Sequence, residues 1–478
     1  MNTIVNEKVI PFKELEQKVF DYVCEVGQMM LQTILESYDE QLREKRNKEE
    51  LRCKGTRQTS IKTILGEVEY KRNVYQTKDE EGHKAWVYLL DQEMQMDKIG
   101  LISTNLAEKI ANVVTDNSYH TTAEIISSTS GQTISHGGAW LLVQRLGERI
   151  SKEETSRVKE MDVSGGKGTK ELKLLFEEMD GVWLRMQGKG HKKGPKQEMK
   201  VATMYEGWKD DGRSCSHLSG KTLIAGMEKC DEFHAKREAR IRSIYNADEI
   251  EIRVLNGDGG SWVKDPYEPE TVFQLDRFHI QQCIKKKIVP PEVQKEIGRL
   301  FEEGRYDEML GYISIYADSV ESNDEKDKSS KKAKELYEYL NNNREGLTPW
   351  QKQRDDYPEA PKGLAYKNMG VQENQNCTTI TLRMKDGRRR WSTNGANNMA
   401  KLLTCRENNE LVETIDRYTD GIILAEPIEE IMKTLSAAKA PKKDGKGNPY
   451  IDLINHHMPI LEAIQTNARR IFRQAFAV

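Results

Sequence analysis

Residues 249–287 read EIEIRVLNGDGGSWVKDPYEPETVFQLDRFHIQQCIKKK. Ile250, Ile252 and Val254 alternate with polar residues, which predicts a strand, and the run breaks at Asn256-Gly257-Asp258-Gly259-Gly260. Asp258 therefore sits at a strand end, where flanking glycines leave its carboxylate uncrowded and let a phosphate or a metal ion come close. A second strand, Thr271 to Leu275, runs into Asp276-Arg277-Phe278-His279 and a lysine-rich helix. Two strands thus deliver acids to one edge.

Working outward, Met179-Asp180-Gly181-Val182-Trp183-Leu184 places another acid inside an apolar strand. A lone carboxylate there is costly unless it is paired or liganded. Further strands are expected at 200–205 and 222–225 and a helix at 231–245, before the Asp258 strand. The order strand, strand, strand, helix, strand, strand, helix is that of a ribonuclease-H-like mixed sheet, in an α/β (α+β multidomain) chain. The first part of this core spans 171–290. From about 291 to 345 the pattern is charged and wholly helical, and 291–365 reads as a helical insertion. The last part, 366–405, carries Glu373 just ahead of a helical stretch. Residues 151–170 are polar and glycine-bearing, the composition of a linker.

The N-terminal half divides into three stretches. Within 1–50, Phe12, Leu15, Val19, Val23, Val26, Met30, Leu31 and Ile34 recur at helical spacing, predicting one helix over 12–46 that serves as core or dimer contact. Within 51–100, alternation around Gly66 predicts a hairpin whose outward cations include Arg57, Lys62, Lys71 and Arg72. Residues 101–150 read as a helix-turn-helix, with Thr121 or Thr122 capping one helix and Thr133 or Ser135 the next. Ser135 and His136 would then reach base edges in a major groove. Two other segments are basic. Lys192 and Lys193 lie in a loop with Lys189, Lys196 and Lys200. Between 376 and 402, Arg383, Lys385, Arg388, Arg389, Arg390 and Lys401 face one acid, Asp386, with Trp391 as a base-stacking candidate. A solvated charged face is the competing reading of both. The C-terminal region, 406–478, reads as helical with a break at 440–449.

Bulk composition, 37% hydrophobic and 32% charged with a net charge of −3 over 478 residues, is that of a soluble protein of several domains. No apolar run has membrane-spanning length, and the N-terminus lacks a secretory core, so a cytoplasmic, nucleoid-associated location is expected. Seven scattered cysteines form no CxxC pair and no zinc spacing, and they read as reduced thiols.

Asp180, Asp258 and Glu373 are the candidate catalytic and metal-binding acids. Phosphodiester cleavage and transfer use a pair of divalent ions, and hard oxygen ligands suit two Mg2+ or Mn2+. The segments EEMDGVW, YEGW, LNGDGGSWV, QLDRFH and QENQN…LRMKDGRRRWSTNGANNMAKLL resemble the ISLre-type bacterial insertion-sequence transposases, relatives of the Mutator-like DDE transposases. The resemblance spans most of the chain. It implies a DDE transposase with Asp180, Asp258 and Glu373 as its three acids, and Asp276 and His279 as the superfamily's Asp-x-x-His. It further implies binding of terminal inverted repeats by the N-terminal part, strand transfer into target DNA, and at least a dimer on DNA. Glu345 competes for the third acid, and Glu373 is preferred because the arginine-rich run follows it. The alternatives are an inactive, domesticated DNA-binding protein and a ribonuclease-H-like nuclease without strand transfer.

Overall fold

The structure, a computed structural model, describes residues 11–79, 81–94, 102–188, 190, 192–210, 216–264, 271–321 and 328–417. The expected break at 440–449, the region beyond 417, Lys189 and most of the acidic-basic run at 324–328 lie outside the described residues. The chain divides into two compact units, Met1–Leu106 with Ser127–Thr133 and Tyr418–Val478, and Ala107–Ile126 with Ile134–Arg417.

The first unit is built on α1 (Phe12–Lys45), which matches the predicted helix, and on an antiparallel sheet of β1 (Arg52–Thr63), β2 (Gly66–Lys78) and β3 (Lys84–Val87), followed by α2 (Leu89–Glu93). The hairpin turns where expected. Thr63 pairs with Gly66, whose φ of +126° only glycine adopts freely. Leu35, Tyr38, Ile61, Val68, Tyr70 and Leu90 form the core. Asp39 on α1 fixes β2 by accepting the Asn73 backbone N–H at 2.7 Å and its side-chain amide at 2.6 Å. Arg57, Lys62 and Lys71 are exposed. Arg72 instead pairs with buried Asp91 and lies 4.0 Å from the centre of the Tyr88 ring, so it is no outward contact.

Helices α3 (Thr104–Asp116), α4 (Tyr119–Thr129) and α5 (His136–Ser164) follow. Two expectations need correction here. The cap of α4 is Ser118, whose hydroxyl accepts the Thr121 N–H at 3.0 Å, and not Thr121 or Thr122. The linker at 151–170 is mostly helix, because α5 continues to Ser164 and stops at Gly165 with φ +74°. Its Glu, Lys and Arg residues are good helix formers, Arg157 and Glu153 pair at i,i+4, and nothing breaks the turn before the glycine.

The second unit contains a five-stranded mixed sheet in the order β10-β9-β4-β5-β8, formed by β4 (Leu174–Leu184), β5 (Gln197–Tyr205), β8 (Thr222–Gly226), β9 (Ile252–Gly257) and β10 (Val272–Leu275). Strands β4, β9 and β10 run parallel, and β5 is antiparallel to both β4 and β8. This is ribonuclease-H-like topology. A small hairpin of β6 (Gly207–Asp210) and β7 (Ser216–Ser219), too short to leave a pattern in the sequence, is added after β5.

Leu174 through Asp180 are all buried because β4 is covered on both faces. Leu174 and Phe176 join Tyr205, Trp208, Val254 and Trp350 on one face. Leu175 and Met179 join Met204, Phe233, Ile241 and Leu255 on the other. Glu178 and Asp180 follow the Phe176 alternation, so two acids point into the same side.

Between β8 and β9 lies α6 (Cys230–Ile244), and after β9 a single turn, α7 (Ser261–Lys264). The predicted insertion is present as α9 (Pro291–Glu302), α10 (Tyr306–Ser319) and α11 (Ser329–Asn342), which share a core with α8 (Arg277–Lys287) through Ile280, Ile284, Ile297, Leu310, Ile313 and Leu336. The chain then returns to the sheet through α12 (Gln372–Gln375), a π-helical turn at Asn376–Thr381 and α13 (Leu382–Met384), before α14 (Thr393–Glu407) and α15 (Leu411–Asp416). No helix among the described residues is long and apolar enough to cross a membrane.

Candidate active site

Strand register brings the first two acids together. Met179 pairs with Gly257 in the parallel β4–β9 ladder, so Asp180 and Asp258 are the next residues on neighbouring strands, a backbone spacing of about 4.8 Å. Gly257 is required here because a Cβ would meet Val263 Cγ1 at 2.6 Å. Gly259 turns the chain at φ +80°, and Asp258 Oδ1 accepts the Gly260 N–H at 2.9 Å. The insertion reaches this loop through Tyr339 of α11, whose hydroxyl donates to the Asp258 carbonyl at 3.0 Å.

Asp180 is buried and hydrogen-bonded on both oxygens, by the Gly181 N–H at 2.7 Å and by the Asn376 side-chain amide at 2.7 Å. Burial pushes its pKa up to about 6, and the charges of Asp258 and Glu373 add to the push against the opposing pull of His279. Asp180 therefore feels the charge of both other acids. Glu373 itself is exposed on α12.

His279 and Asp276 complete the group. Nδ1 of His279 donates to Asp276 Oδ2 at 2.7 Å, leaving Nε2 3.8 Å from Asp180 Oδ1. That hydrogen bond raises the imidazole pKa. It also keeps Asp276 below the usual carboxylate range although burial pushes the other way. The competing acid Glu345 is exposed and pairs with Lys264 at 3.4 Å.

Glu178, which the sequence reading passed over, is fully buried two residues before Asp180 on the same strand face. Its carboxylate accepts the N–H groups of Gly370, Val371 and Gln372 at 3.0–3.3 Å, the Tyr205 hydroxyl at 2.7 Å and the Asn256 amide at 2.9 Å. It thereby caps the helix that carries Glu373. Burial raises its pKa while those donors oppose the rise. The signal was the doubled acid in EEMD, with the second glutamate in phase with Asp180. Asn376, also missed, is held by Gln372 Nε2 at 2.9 Å and sits at the π turn, a helix irregularity common at functional sites.

Among the described residues no three His, Cys, Asp or Glu side chains are arranged closely enough to hold an ion. The donors are carboxylate oxygens, on buried Asp180, half-buried Asp258 and exposed Glu373, and hard oxygens of this kind suit a divalent cation. Asp180, Asp258 and Glu373 are the residues that would hold it.

The expected nucleic-acid contacts fare unevenly. Lys192, Lys193, Arg388 and Arg390 are exposed. Arg389 is half-buried and donates to the Arg383 carbonyl. Trp391 is not a stacking platform. It is buried, its indole N–H donates to the Met384 carbonyl at 2.9 Å, and Arg383 covers its ring at 5.4 Å. Lys401 and Arg383 also leave the basic face: Lys401 is buried between Glu154 (2.8 Å) and Glu228 (2.7 Å), and Arg383 donates to the Val114 carbonyl. The Ser135 hydroxyl is engaged as the cap of α5, accepting the Gly138 N–H at 3.0 Å. His136 is exposed and stacks on His120 with ring centres 6.3 Å apart.

The fold and this acid group define a chain with a ribonuclease-H-like core and an inserted helical subdomain. Residues 5–417 match the family described as "Uncharacterised protein family (UPF0236)", and the chain belongs to it. One relative, a UPF0236 protein of Caldanaerobacter subterraneus subsp. tengcongensis, is 24% identical over 357 residues, covering 73% of this chain and 69% of its own length; its name joins eleven locus designations. Another, the "UPF0236 protein in vanSb 3'region" of Streptococcus gallolyticus, is 24% identical over 408 residues, 83% of each chain.

Proposed function

We propose that this protein is a transposase of the DDE kind, binding the ends of a mobile DNA segment and cutting and joining DNA by metal-dependent phosphoryl transfer. The observation that carries the reading is the placement of Asp180 and Asp258 side by side where the parallel β4–β9 pairing ends, Asp180 within β4 and Asp258 just past the carboxyl end of β9, with Glu373 close enough for its charge to act on Asp180. The relative whose name joins eleven loci of one organism adds support, since a gene that copies itself around a genome produces that pattern.

Bound divalent ions would neutralise charge at the scissile phosphate and lower the barrier to in-line displacement. The chain's own residues do the positioning. Gly181 and Asn376 fix the Asp180 carboxylate, Gly260 fixes Asp258, and Glu178 sets the start of the helix bearing Glu373. His279, oriented by Asp276, directs Nε2 toward Asp180 and can hold a proton beside the reacting phosphate. Strand transfer requires two ends together, so at least a dimer on DNA belongs to this reading. Exposed Phe12, Phe20 and Val23 on α1 are candidate contacts for it.

The test is cleavage of labelled DNA spanning the boundary of the segment that carries this gene, with Mg2+ or Mn2+, comparing wild type with Asp258→Asn. Cuts at the boundary that vanish in the variant while DNA binding persists are expected. Equal cutting by both proteins would overturn the acid assignment. Binding without cutting by either would leave a DNA-binding protein only. Cutting without joining to a target duplex would leave a nuclease.

A further inference from the structure

Two basic segments about 200 residues apart in sequence are stitched into one ladder beyond the end of β4. The Trp391 N–H donates to the Arg185 carbonyl at 3.0 Å, and the Gln187 N–H donates to the Trp391 carbonyl at 2.8 Å. The Gln187 side chain adds a bond to the Arg390 carbonyl at 3.2 Å. On its other side, the 186–188 stretch pairs with the returning loop: the Gly188 N–H donates to the Lys192 carbonyl at 2.8 Å and the Gly194 N–H to the Met186 carbonyl at 3.0 Å. Buried Trp391 is the lock that holds this arrangement. Arg388, at φ +57°, turns the second segment across the first.

The ladder displays Arg185, Lys192, Lys193, Lys196, Arg388 and Arg390, all exposed and none in an ion pair among the described residues. On α9 and its flank, Arg299 and Arg305 are each neutralised by neighbouring glutamates. The ladder has one acid of its own, Asp386. Cations held on a fixed backbone without counter-charges raise the local potential and attract a polyanion.

We infer that this ridge is a phosphate track, gripping the backbone of a polynucleotide that flanks the reacting bond, without regard to base sequence. The inference rests on the phosphoryl-transfer reading for the position of that bond. Asp180 and Arg185 lie on one extended run, so at about 3.3 Å per residue the ridge begins about 16 Å from the acids. With one phosphate per about 3.4 Å of each duplex strand, the grip falls about five nucleotides from the bond. Sequence-reading side chains are not needed for this role. Lysine and arginine contacts to phosphate set register and affinity.

The experiment measures binding of the full chain to a labelled 30-base-pair duplex of arbitrary sequence, about three turns long, by anisotropy over a range of salt concentrations. The ridge variant is Lys192→Gln/Lys193→Gln/Arg388→Gln. The control is Lys295→Gln/Lys331→Gln/Lys332→Gln on the insertion helices, whose side chains are equally exposed. Each lost phosphate contact lowers the slope of log affinity against log salt by about 0.9, so the ridge variant should lose between about 2 and 3 of slope and the control should match wild type. A wild-type slope in the ridge variant, with duplex binding intact, would overturn the track and leave the reading of the acids standing. Failure of wild type to bind duplex at low salt would overturn the track and the DNA reading together. Metal-dependent cutting of a non-nucleic phosphodiester would then identify the acid site separately.

Discussion

The Gly370 backbone N–H donates to the carboxylate of Glu178 at 3.0 Å, joining the central strand of the sheet to the start of a helix 192 residues further along the chain. With Val371 and Gln372 adding two more N–H groups, one buried side chain takes up two of the four donors that this helix start leaves open. The same strand carries Asp180 and the same helix carries Glu373. Glu178 is therefore the mechanical link between two of the three candidate acids.

Removing that link should be felt in stability and in the site at once. Glu178→Ala removes the acceptor of three N–H groups, of the buried Tyr205 hydroxyl and of the Asn256 amide, and is expected to cost about 3 kcal/mol or more, read by urea denaturation of the metal-free protein. Glu178→Gln keeps one acceptor oxygen and should cost less. If Glu178 positions Glu373, both variants also weaken Mn2+ binding measured calorimetrically under conditions where they remain folded. Unchanged Mn2+ affinity in folded Glu178→Gln would reduce Glu178 to a stability role.

A second prediction follows from the raised pKa of Asp180. An aspartate ordinarily near 3.8 that titrates at about 6 in the folded chain contributes stability that is fully present below the lower value and lost as pH rises through the upper one. The metal-free protein thus carries an unfavourable charge at neutral pH. Asp180→Asn should stabilise it at pH 8, by up to about 3 kcal/mol from a shift of roughly two pH units, less whatever the Gly181 and Asn376 hydrogen bonds lose. At pH 4 the gain should disappear. Denaturation midpoints at the two pH values decide the matter. Mn2+ affinity of wild type should fall as pH drops through 6, because protonation competes with the ion.

How much of this was readable beforehand depended on whether a residue's neighbours in sequence were its neighbours in space. Asp258 announced itself because the glycines around it are local, and the strand order followed from alternating apolar runs. The partners of Asp180 were not readable, since Asn376 and His279 reach it from 196 and 99 positions away. Glu178 was hidden by its adjacency to Asp180 and by a cap whose donors lie in another segment. Trp391 was misjudged because arginine neighbours say nothing about which way an indole turns. The segment 151–164 was misjudged because a polar composition suits an exposed helix as well as a linker.

Ser135 provides a third test, separating capping from base contact. Its hydroxyl accepts the Gly138 N–H at the start of α5. Ser135→Ala should lower stability by about 1 kcal/mol, and Ser135→Asp should restore it. If Ser135 also contacts DNA, Ser135→Asp will be as stable as wild type yet bind duplex more weakly, through repulsion between its charge and phosphate. Equal binding by the two would confine Ser135 to the cap.

Lys401 tests the other side of the basic segment. Its ammonium lies between Glu154 and Glu228, with Lys236 bonded to the same Glu228 oxygen at 2.7 Å. Burial would push Glu228 up, yet the two lysines hold it down to about 2. A depressed carboxylate contributes stability that is present above its unfolded value near 4.5 and is lost as pH falls through the folded one. Lys401→Met keeps the volume and removes the charge, leaving two glutamates against one lysine in a buried setting. The expected loss is on the order of 3–5 kcal/mol at pH 7, shrinking toward pH 3 as protonation relieves the surplus negative charge. Duplex affinity of the folded variant should equal that of wild type, whereas a lysine on a DNA-facing surface would show the opposite pair of results: an unchanged denaturation midpoint and a smaller salt slope.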